Sequence, residues 1–593
     1  MRRALARACM IIGGLTVAVL VFALGIGITL WLTSARVPAQ TVLEVDFERD
    51  LAEYVPDDPL TRILSAPART VRDVVEALER AAQDDRVRAL VVMVGASTMS
   101  LAEIQELRGA IMAFRRSGKP AIAHAETFGE FGPGNGAYYL ATACDAIYLQ
   151  PSGDVGLTGL IAKTPFLRGT LDKVGLTPRL DHRGEYKSAM NLFTERQFTE
   201  PHEEVVRQVM TSQFGQIVRG IAEARGLPDD EVEALIDRGP FPAQQALEAK
   251  LVDGLAYRDE VYAKVQVQVG EGAQRLRLST YLERAGRPHT QGETIALIYG
   301  VGRITRGESG YDPLSQAASM GAKTVAQAFR AAMKDENVRA ILFRIDSPGG
   351  SYVASDTIWR EVMRARQAGK PVVVSMGGAA ASGGYFVAAP ADKIVAQPAT
   401  LTGSIGVISG KFVTNGFWDK VGVSWDEVHS SANATFWSST HDYTPQQWAQ
   451  LQDWLDHIYD DFVTKVAQGR NLPKARVLEV AEGRVWTGED AKALGLVDEL
   501  GGFPVALRLV KEAAGIPADV DVRLQVFPPK KTLARVLWEQ LVGDDEQEDS
   551  EQPVSAALAR GLEFARPLAD LLDDLGLGPA RGVLTMPRIE RLP

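Results

Sequence analysis

The 593-residue chain has little that could tie a fold together through covalent cross-links or thiolate-bound metal, because Cys9 and Cys144 are its two cysteines. One lies in the first apolar run and the other in a core-like segment, which argues against a disulfide framework and leaves no thiol-based metal site. Histidine is scarce as well: of His124, His182, His202, His289, His429, His441 and His457, the pair His182 and His429 recurs at equivalent positions and reads as structural, and the other five sit in no motif. Basic charge is not in excess. A formal net charge of −11 argues against a nucleic-acid binder, which needs a basic face.

Charge of either sign is absent from Ala8 to Thr33, a run of 26 residues. Crossing a hydrocarbon core takes roughly 20 residues, whereas the apolar region of a cleaved signal peptide has about 7–15, even though Val37-Pro38-Ala39 would pass as a cleavage site. Arg2, Arg3 and Arg7 precede the run and Arg36 follows it. That bias keeps an N-terminus in the cytoplasm. Residues 1–39 are therefore expected to form a cytoplasmic N-terminus and an uncleaved single-pass transmembrane anchor in a bacterial inner membrane, with the rest of the chain periplasmic.

What the chain does have is an internal repeat. Asp145 and Asp392, Gln150-Pro151 and Gln397-Pro398, Gly156 and Gly403, Gly159 and Gly406, Asp172-Lys173-Val174-Gly175 and Asp419-Lys420-Val421-Gly422, and His182 and His429 all recur at a spacing of 247 residues. Gly118-Lys119-Pro120 matches Gly369-Lys370-Pro371, and Leu251-Val252-Asp253 matches Leu496-Val497-Asp498, at slightly different spacings. Each half alternates short apolar runs (Val42 to Phe47 and Ala89 to Val94; Ile295 to Tyr299 and Ala340 to Ile345) with longer helical periods. This is the pattern of βαβ units and a mainly parallel sheet. Tandem α/β domains are expected at residues 40–285 and 286–515, joined by a weakly patterned stretch from about Val267 to Glu293. A tail from 516 to 593 carries the acidic run Gly543 to Asp549, which reads as a solvated linker.

A duplication is its own control, so the places where the halves differ are informative. Asp346-Ser347-Pro348-Gly349-Gly350-Ser351 follows a strand in the second half, while the first half has Gly95-Ala96-Ser97-Thr98-Met99-Ser100 without the paired glycines. Adjacent glycines let backbone N–H groups face a ligand, as an oxyanion hole requires, although a plain turn would also use them. In Ala379-Ala380-Ala381-Ser382-Gly383-Gly384-Tyr385 a serine opens an apolar helix, and its first-half counterpart is Asn135. That serine suits a strand-to-helix nucleophile turn as well as a simple helix cap. Lys187, in Arg183-Gly184-Glu185-Tyr186-Lys187-Ser188-Ala189, runs the other way, since its second-half counterpart is Ala434. Each half lacks what the other has, which suggests one active site assembled from both.

These motifs, with Leu401-Thr402-Gly403-Ser404-Ile405-Gly406, resemble the signal peptide peptidase A family in its long, duplicated form. The likeness covers roughly residues 40 to 515 and the anchor. It implies a fold similar to Clp protease and crotonase, a Ser/Lys dyad of Ser382 and Lys187, no cofactor and no metal. It further implies cleavage of remnant signal peptides in the bacterial inner membrane, Ser404 as the hydroxyl that orients the lysine, and a homotetramer. On this reading Lys187 must be desolvated to serve as a base, since an ordinary lysine with a pKa of about 10.4 is almost wholly protonated at pH 7. The backbone N–H groups of Gly350 and Gly383 would hold the oxyanion. Three rivals stand beside it: a His-dependent hydrolase, a crotonase-type acyl-CoA enzyme that needs no serine, and a non-catalytic membrane scaffold. Whether the dyad forms within one chain or between chains is not written in the sequence. Phe417, Trp418, Trp425, Phe436 and Trp437 could line an apolar groove, or serve as core or oligomer contacts.

Overall fold

The computed structural model describes residues 36–49, 51–56, 69–95, 98–311, 318–528 and the backbone of 583–585. The expected anchor and the acidic run lie outside the described residues, among which no helix is long and apolar enough to cross a membrane.

The first half is built on a wholly parallel six-stranded sheet in the order Gly254–Leu255, Ala146–Leu149, Ala121–Ala125, Val87–Met93, Thr41–Asp46, Gln274–Arg277. The second half repeats it strand for strand as Glu499–Leu500, Lys393–Ala396, Val372–Ala381, Val338–Ser347, Glu293–Val301, Val522–Phe527. Two further strands, Leu401–Gly403 and Val485–Thr487, extend it at the bent end of Val372–Ala381. Alternate residues of each sheet enter different cores, as the two-residue period of a strand requires. Leu43, Val45, Leu90 and Val92 face one side and Val42, Val91 and Met93 the other, where the helix Arg258–Val269 covers them. Ile341, Phe343 and Val374 are likewise separated from Leu297, Leu342 and Val373, which meet the helix Phe503–Ala513.

The repeated residues make the same bonds twice. Lys119 Nζ donates to the carbonyls of Ala81, Ala82 and Asp84 at the end of the helix Val71–Gln83. Lys370 Nζ does the same for Ala332 and Asp335 after Ala322–Lys334. Asp145 and Asp392 accept from Ala121 N and Val372 N, each at 2.8 Å. Tyr138 and Tyr385 donate to Leu251 O and Leu496 O, and the aspartates of the recurring Leu-Val-Asp, Asp253 and Asp498, accept from Ile147 N and Ile394 N.

Two stretches differ from the sequence reading. The weakly patterned join from Val267 to Glu293 holds the strand Gln274–Arg277 and the helix Leu278–Ala285, whose Leu278, Tyr281 and Leu282 are buried. Four strand residues between exposed neighbours are too few to show a period. The tail expected from 516 begins later, because Val522–Phe527 is the edge strand of the second sheet, pairing in parallel with Glu293–Val301.

The halves meet over polar groups removed from water. Arg344, 2% exposed, bonds Glu53 through Nε at 2.7 Å and Nη2 at 3.0 Å, Glu106 at 2.8 Å and Ser375 Oγ at 2.8 Å. Glu106 also accepts from Phe503 N at 2.7 Å. One guanidinium faces two buried carboxylates, and burial pushes the Glu53 carboxyl up to about 7. Removing one partner of such a network leaves uncompensated charge, a cost of about 3–5 kcal/mol. Arg344→Leu should therefore lower unfolding stability by that amount in urea titrations. Glu53 keeps its proton in the fold to higher pH than in the unfolded chain. Its contribution is then complete below the ordinary carboxyl pKa and fades as pH rises toward about 7. Glu53→Gln should flatten that part of the stability–pH curve.

Candidate active site

Ser382 is the single residue between the strand Val372–Ala381 and the helix Gly383–Ala388. Its backbone lies at φ 56°, ψ −116°, a conformation rare for a residue with a Cβ. The strain is held from both sides: Ser382 N donates to Gly403 O, and Phe386 N donates to Ser382 O, each at 2.8 Å. The small residues that follow are a space requirement. A Cβ on Gly383 would lie 2.8 Å from Ser355 Oγ and 3.1 Å from Gly350 N, and one on Gly384 would lie 2.7 Å from Ser347 O.

Gly350 sits in the short strand Gly349–Ser351, so close to its neighbour that a Cβ would fall 2.1 Å from Ile304 O. Ser347 Oγ accepts from Gly349 N at 3.2 Å and shapes the turn. Ser351 accepts from Ala354 N and starts the helix Tyr352–Gln367. The Pro-Gly-Gly segment thus brings Gly350 beside Gly383, as two convergent donors would require.

Lys187 arrives from the other half of the same chain. The strand Thr177–Arg183 pairs antiparallel with Val407–Val413 across the two halves, and the loop after it turns back toward Ser382. Lys187 Nζ lies 2.8 Å from Ser382 Oγ, 2.9 Å from Ser404 Oγ and 2.7 Å from Ser404 O. Lys187, Ser382 and Ser404 are all fully buried. Burial holds the Lys187 amine well below the usual lysine pKa, and among the described residues no carboxylate is its partner. A neutral amine has two N–H groups and a lone pair, which match the two Ser404 acceptors and the Ser382 hydroxyl.

Sequence reading missed the clamp that holds this loop. Tyr186 N donates to Glu482 O at 2.8 Å, and the Arg484 guanidinium stacks 3.5 Å from the centre of the Tyr186 ring while pairing with Glu204. Ser404 N donates to Arg484 O at 2.7 Å, so one loop positions both the lysine and the serine beside it. Gly483, at φ 76°, has no room for a side chain, since a Cβ would fall 2.5 Å from Lys187 N and 2.6 Å from Lys187 Cβ. Nothing local in Glu482-Gly483-Arg484 signals this. Gly406 faces the lysine stem, its Cβ position 3.1 Å from Lys187 Cδ, but recurrence at Gly159 hid that role.

The first half carries a filled-in version of the site. Asn135, in the place of Ser382, accepts from Thr158 N and Gly159 N, each at 3.0 Å, and donates to Gly159 O. Those residues correspond to Ile405 and Gly406. The repeated histidines are not equivalent: His182 Nδ1 lies 2.8 Å from Gly184 O and supports the lysine loop, whereas His429 faces Glu427 with half its side chain exposed. Phe417, Trp418 and Trp425 meet edge to face in one group, and Phe436 and Trp437 in another. Trp425 and Trp437 are exposed, while Phe436 packs on the second core.

The profile of peptidase family S49 matches residues 113–271 and 364–517, once in each half. The chain belongs to peptidase family S49. It is 35% identical to Protease 4 of Salmonella typhi over 79% of this chain and 76% of that protein. It is 31% identical to the chloroplastic serine protease SPPA of Arabidopsis thaliana over 78% and 68%, and 31% identical to Protease 4 of Haemophilus influenzae over 76% and 74%. Among solved structures, a mutant of the membrane-bound stomatin-specific protease 1510-N is 15% identical, covering 40% of this chain and 100% of its own, with a TM-score of 0.26. A ClpP1 mutant from Listeria monocytogenes is 15% identical over 36% and 94%, with a TM-score of 0.23. The S49 peptidase is a serine protease of the duplicated, signal peptide peptidase A type.

The clamp yields a test that separates position from stability. Gly483→Ala should cost hydrolysis on the order of 100-fold, because a displacement near 1 Å of a catalytic group suffices for that. Gly226→Ala, at φ 63° with no atom within 4 Å of the added Cβ, should strain its helix end comparably. It should leave kcat unchanged. Equal activity in the two variants, measured alongside their urea midpoints, would remove the positioning role of Gly483.

Proposed function

We propose that this S49 peptidase hydrolyses remnant signal peptides and other hydrophobic peptides with Ser382 as nucleophile and Lys187 as general base. The supporting observation is the 2.8 Å separation between a buried amine and the hydroxyl of a strained turn. The Lys187 lone pair accepts the Ser382 proton as Oγ attacks the scissile carbonyl. Charge that develops on the carbonyl oxygen is met by the N–H groups of Gly350 and Gly383. The ammonium that forms is stabilised by Ser404 O and Ser404 Oγ and passes its proton to the leaving amine. Water, activated by the again neutral lysine, then releases the acyl group and restores the serine.

The peptide class is supported by a relative from Enterococcus faecium, described as a putative signal peptide peptidase and 35% identical over 30% of this chain and 52% of its own. Membrane anchoring through residues 1–39, a periplasmic catalytic part and a homotetramer complete the proposal.

Ser382→Ala should abolish turnover of a hydrophobic peptide ester and labelling by a fluorophosphonate probe, with stability changed by less than about 1 kcal/mol. Lys187→Arg should be inactive, because a guanidinium does not deprotonate. The wild-type rate should rise with pH through the lowered lysine pKa, since only the neutral amine is a base. An active Arg variant in steady-state assays would end the lysine assignment. For topology, a reporter active only in the periplasm, fused after Pro593, should give signal; a cytoplasmic readout reverses the localisation.

A further inference from the structure

A third sheet crosses the proposed active site, and one of its strands comes from the last dozen residues of the sequence. Its order is Gly310–Tyr311, Ala318–Gly321, Arg303–Thr305, Gly349–Ser351, Val583–Thr585, Val407–Val413, Thr177–Arg183. The backbone of Val583–Thr585 pairs antiparallel with Gly349–Ser351, placing Thr585 opposite Gly349, Leu584 opposite Gly350 and Val583 opposite Ser351. On its other edge Val583 pairs with Ile408. Among the described residues no other strand joins these two edges, so without this segment the sheet would be two pieces separated by a slot one strand wide.

That slot is where a peptide would have to lie. One wall is the strand containing Gly350, whose amide is a proposed oxyanion donor, and the other begins three residues after Ser404. An exposed strand edge offers N–H and C=O groups to any extended chain, and recognition by strand addition uses them. The direction of the segment is equally telling. It runs toward Gly349, whose Cα is 3.2 Å from the Cβ position of Gly383, so its C-terminal end leads to the nucleophile. This is the path of the residues that precede a scissile bond. With the strand in place Ser382 has no exposed surface.

We propose that Val583–Thr585 is a tethered ligand of the active site, filling the strand position of a peptide substrate and holding the intact chain in a self-inhibited state. This rests on the reading of Ser382 and Gly350 given above. Fifty-four residues separate Pro528 from Val583. Because the strand belongs to the same chain, its binding is intramolecular, and even a weak strand would compete with substrate.

The test uses the full chain with a site-specific protease sequence inserted after Gly543, and a second full chain carrying Leu584→Pro, which removes a backbone donor from the strand. A fluorescein-labelled peptide with the sequence of residues 580–590 serves as binding probe, in a Ser382→Ala background so that nothing is hydrolysed. By anisotropy it should bind the chain cut and freed of its tail, and the Leu584→Pro chain, but not the intact chain. With Ser382 present, cutting or Leu584→Pro should lower KM for a hydrophobic peptide about 10-fold or more and leave kcat within about twofold, as displacement of a competing ligand requires. The unlabelled 580–590 peptide should restore the higher KM. Equal probe binding and equal KM in the intact, cut and Leu584→Pro chains would overturn the proposal. Selective probe binding without Ser382-dependent hydrolysis would sustain the tethered ligand and defeat the catalytic reading instead.

Discussion

Keeping one amine out of water is the constraint on which this structure turns. Lysine in solution is an acid at neutral pH, and it becomes a base only where its charged form costs more than its neutral form. Here that cost is imposed by enclosure, with Lys187 fully buried among carbonyl, hydroxyl and glycine backbone. A nearby carboxylate would undo it by stabilising the ammonium. The fold meets the requirement by bringing the lysine on a loop of one half into a recess of the other, where Gly406 and Gly483 leave room for its stem and backbone. The strained Ser382 turn and the inverted backbone of Ser404, at φ 52°, are tolerable because hydrogen bonds from both halves fix them.

The duplication explains what sequence could and could not reveal. Residues kept in both halves, such as Lys119 and Lys370 or Tyr138 and Tyr385, close helix ends and tie sheet to loop, tasks every copy of the fold must perform. Residues present in one half alone include Ser382, Lys187 and the Gly349-Gly350 pair, and comparing the halves exposes them without structural knowledge. The two parallel sheets were legible from alternating apolar runs. The strand Gln274–Arg277 was not, because it holds a single apolar residue, and Val522–Phe527 shows the two-residue alternation but lies in what read as a tail. Gly483 was illegible because its partner is distant in sequence, whereas Arg344 stands out as a charge inside the apolar run Ala340 to Ile345 but its carboxylate partners, Glu53 and Glu106, lie in the other half.

Arg344 shows how polar residues can define the contact between two repeats. An apolar seam would accept several alignments, whereas a guanidinium divided between Glu53 and Glu106 fits one. The long helix Glu200–Arg225 adds to that definition, with Gln213 and Gln216 bonding the carbonyls of Ala399 and Pro398 next to the strand that leads to Ser404. Register between the halves and register within the site are therefore the same quantity.

The pairing of Thr177–Arg183 with Val407–Val413 also bears on when the molecule acquires its chemistry. Lys187 and Ser382 are 195 residues apart in sequence, and the lysine is synthesised first. Contacts of such separation form late, after the local βαβ units have collapsed. On the proposed Ser/Lys reading, a chain in which this strand pair has not yet formed lacks the dyad, whatever the state of either half. On that reading, splitting the site across the repeat makes the docking of the two halves a precondition for any chemistry at all.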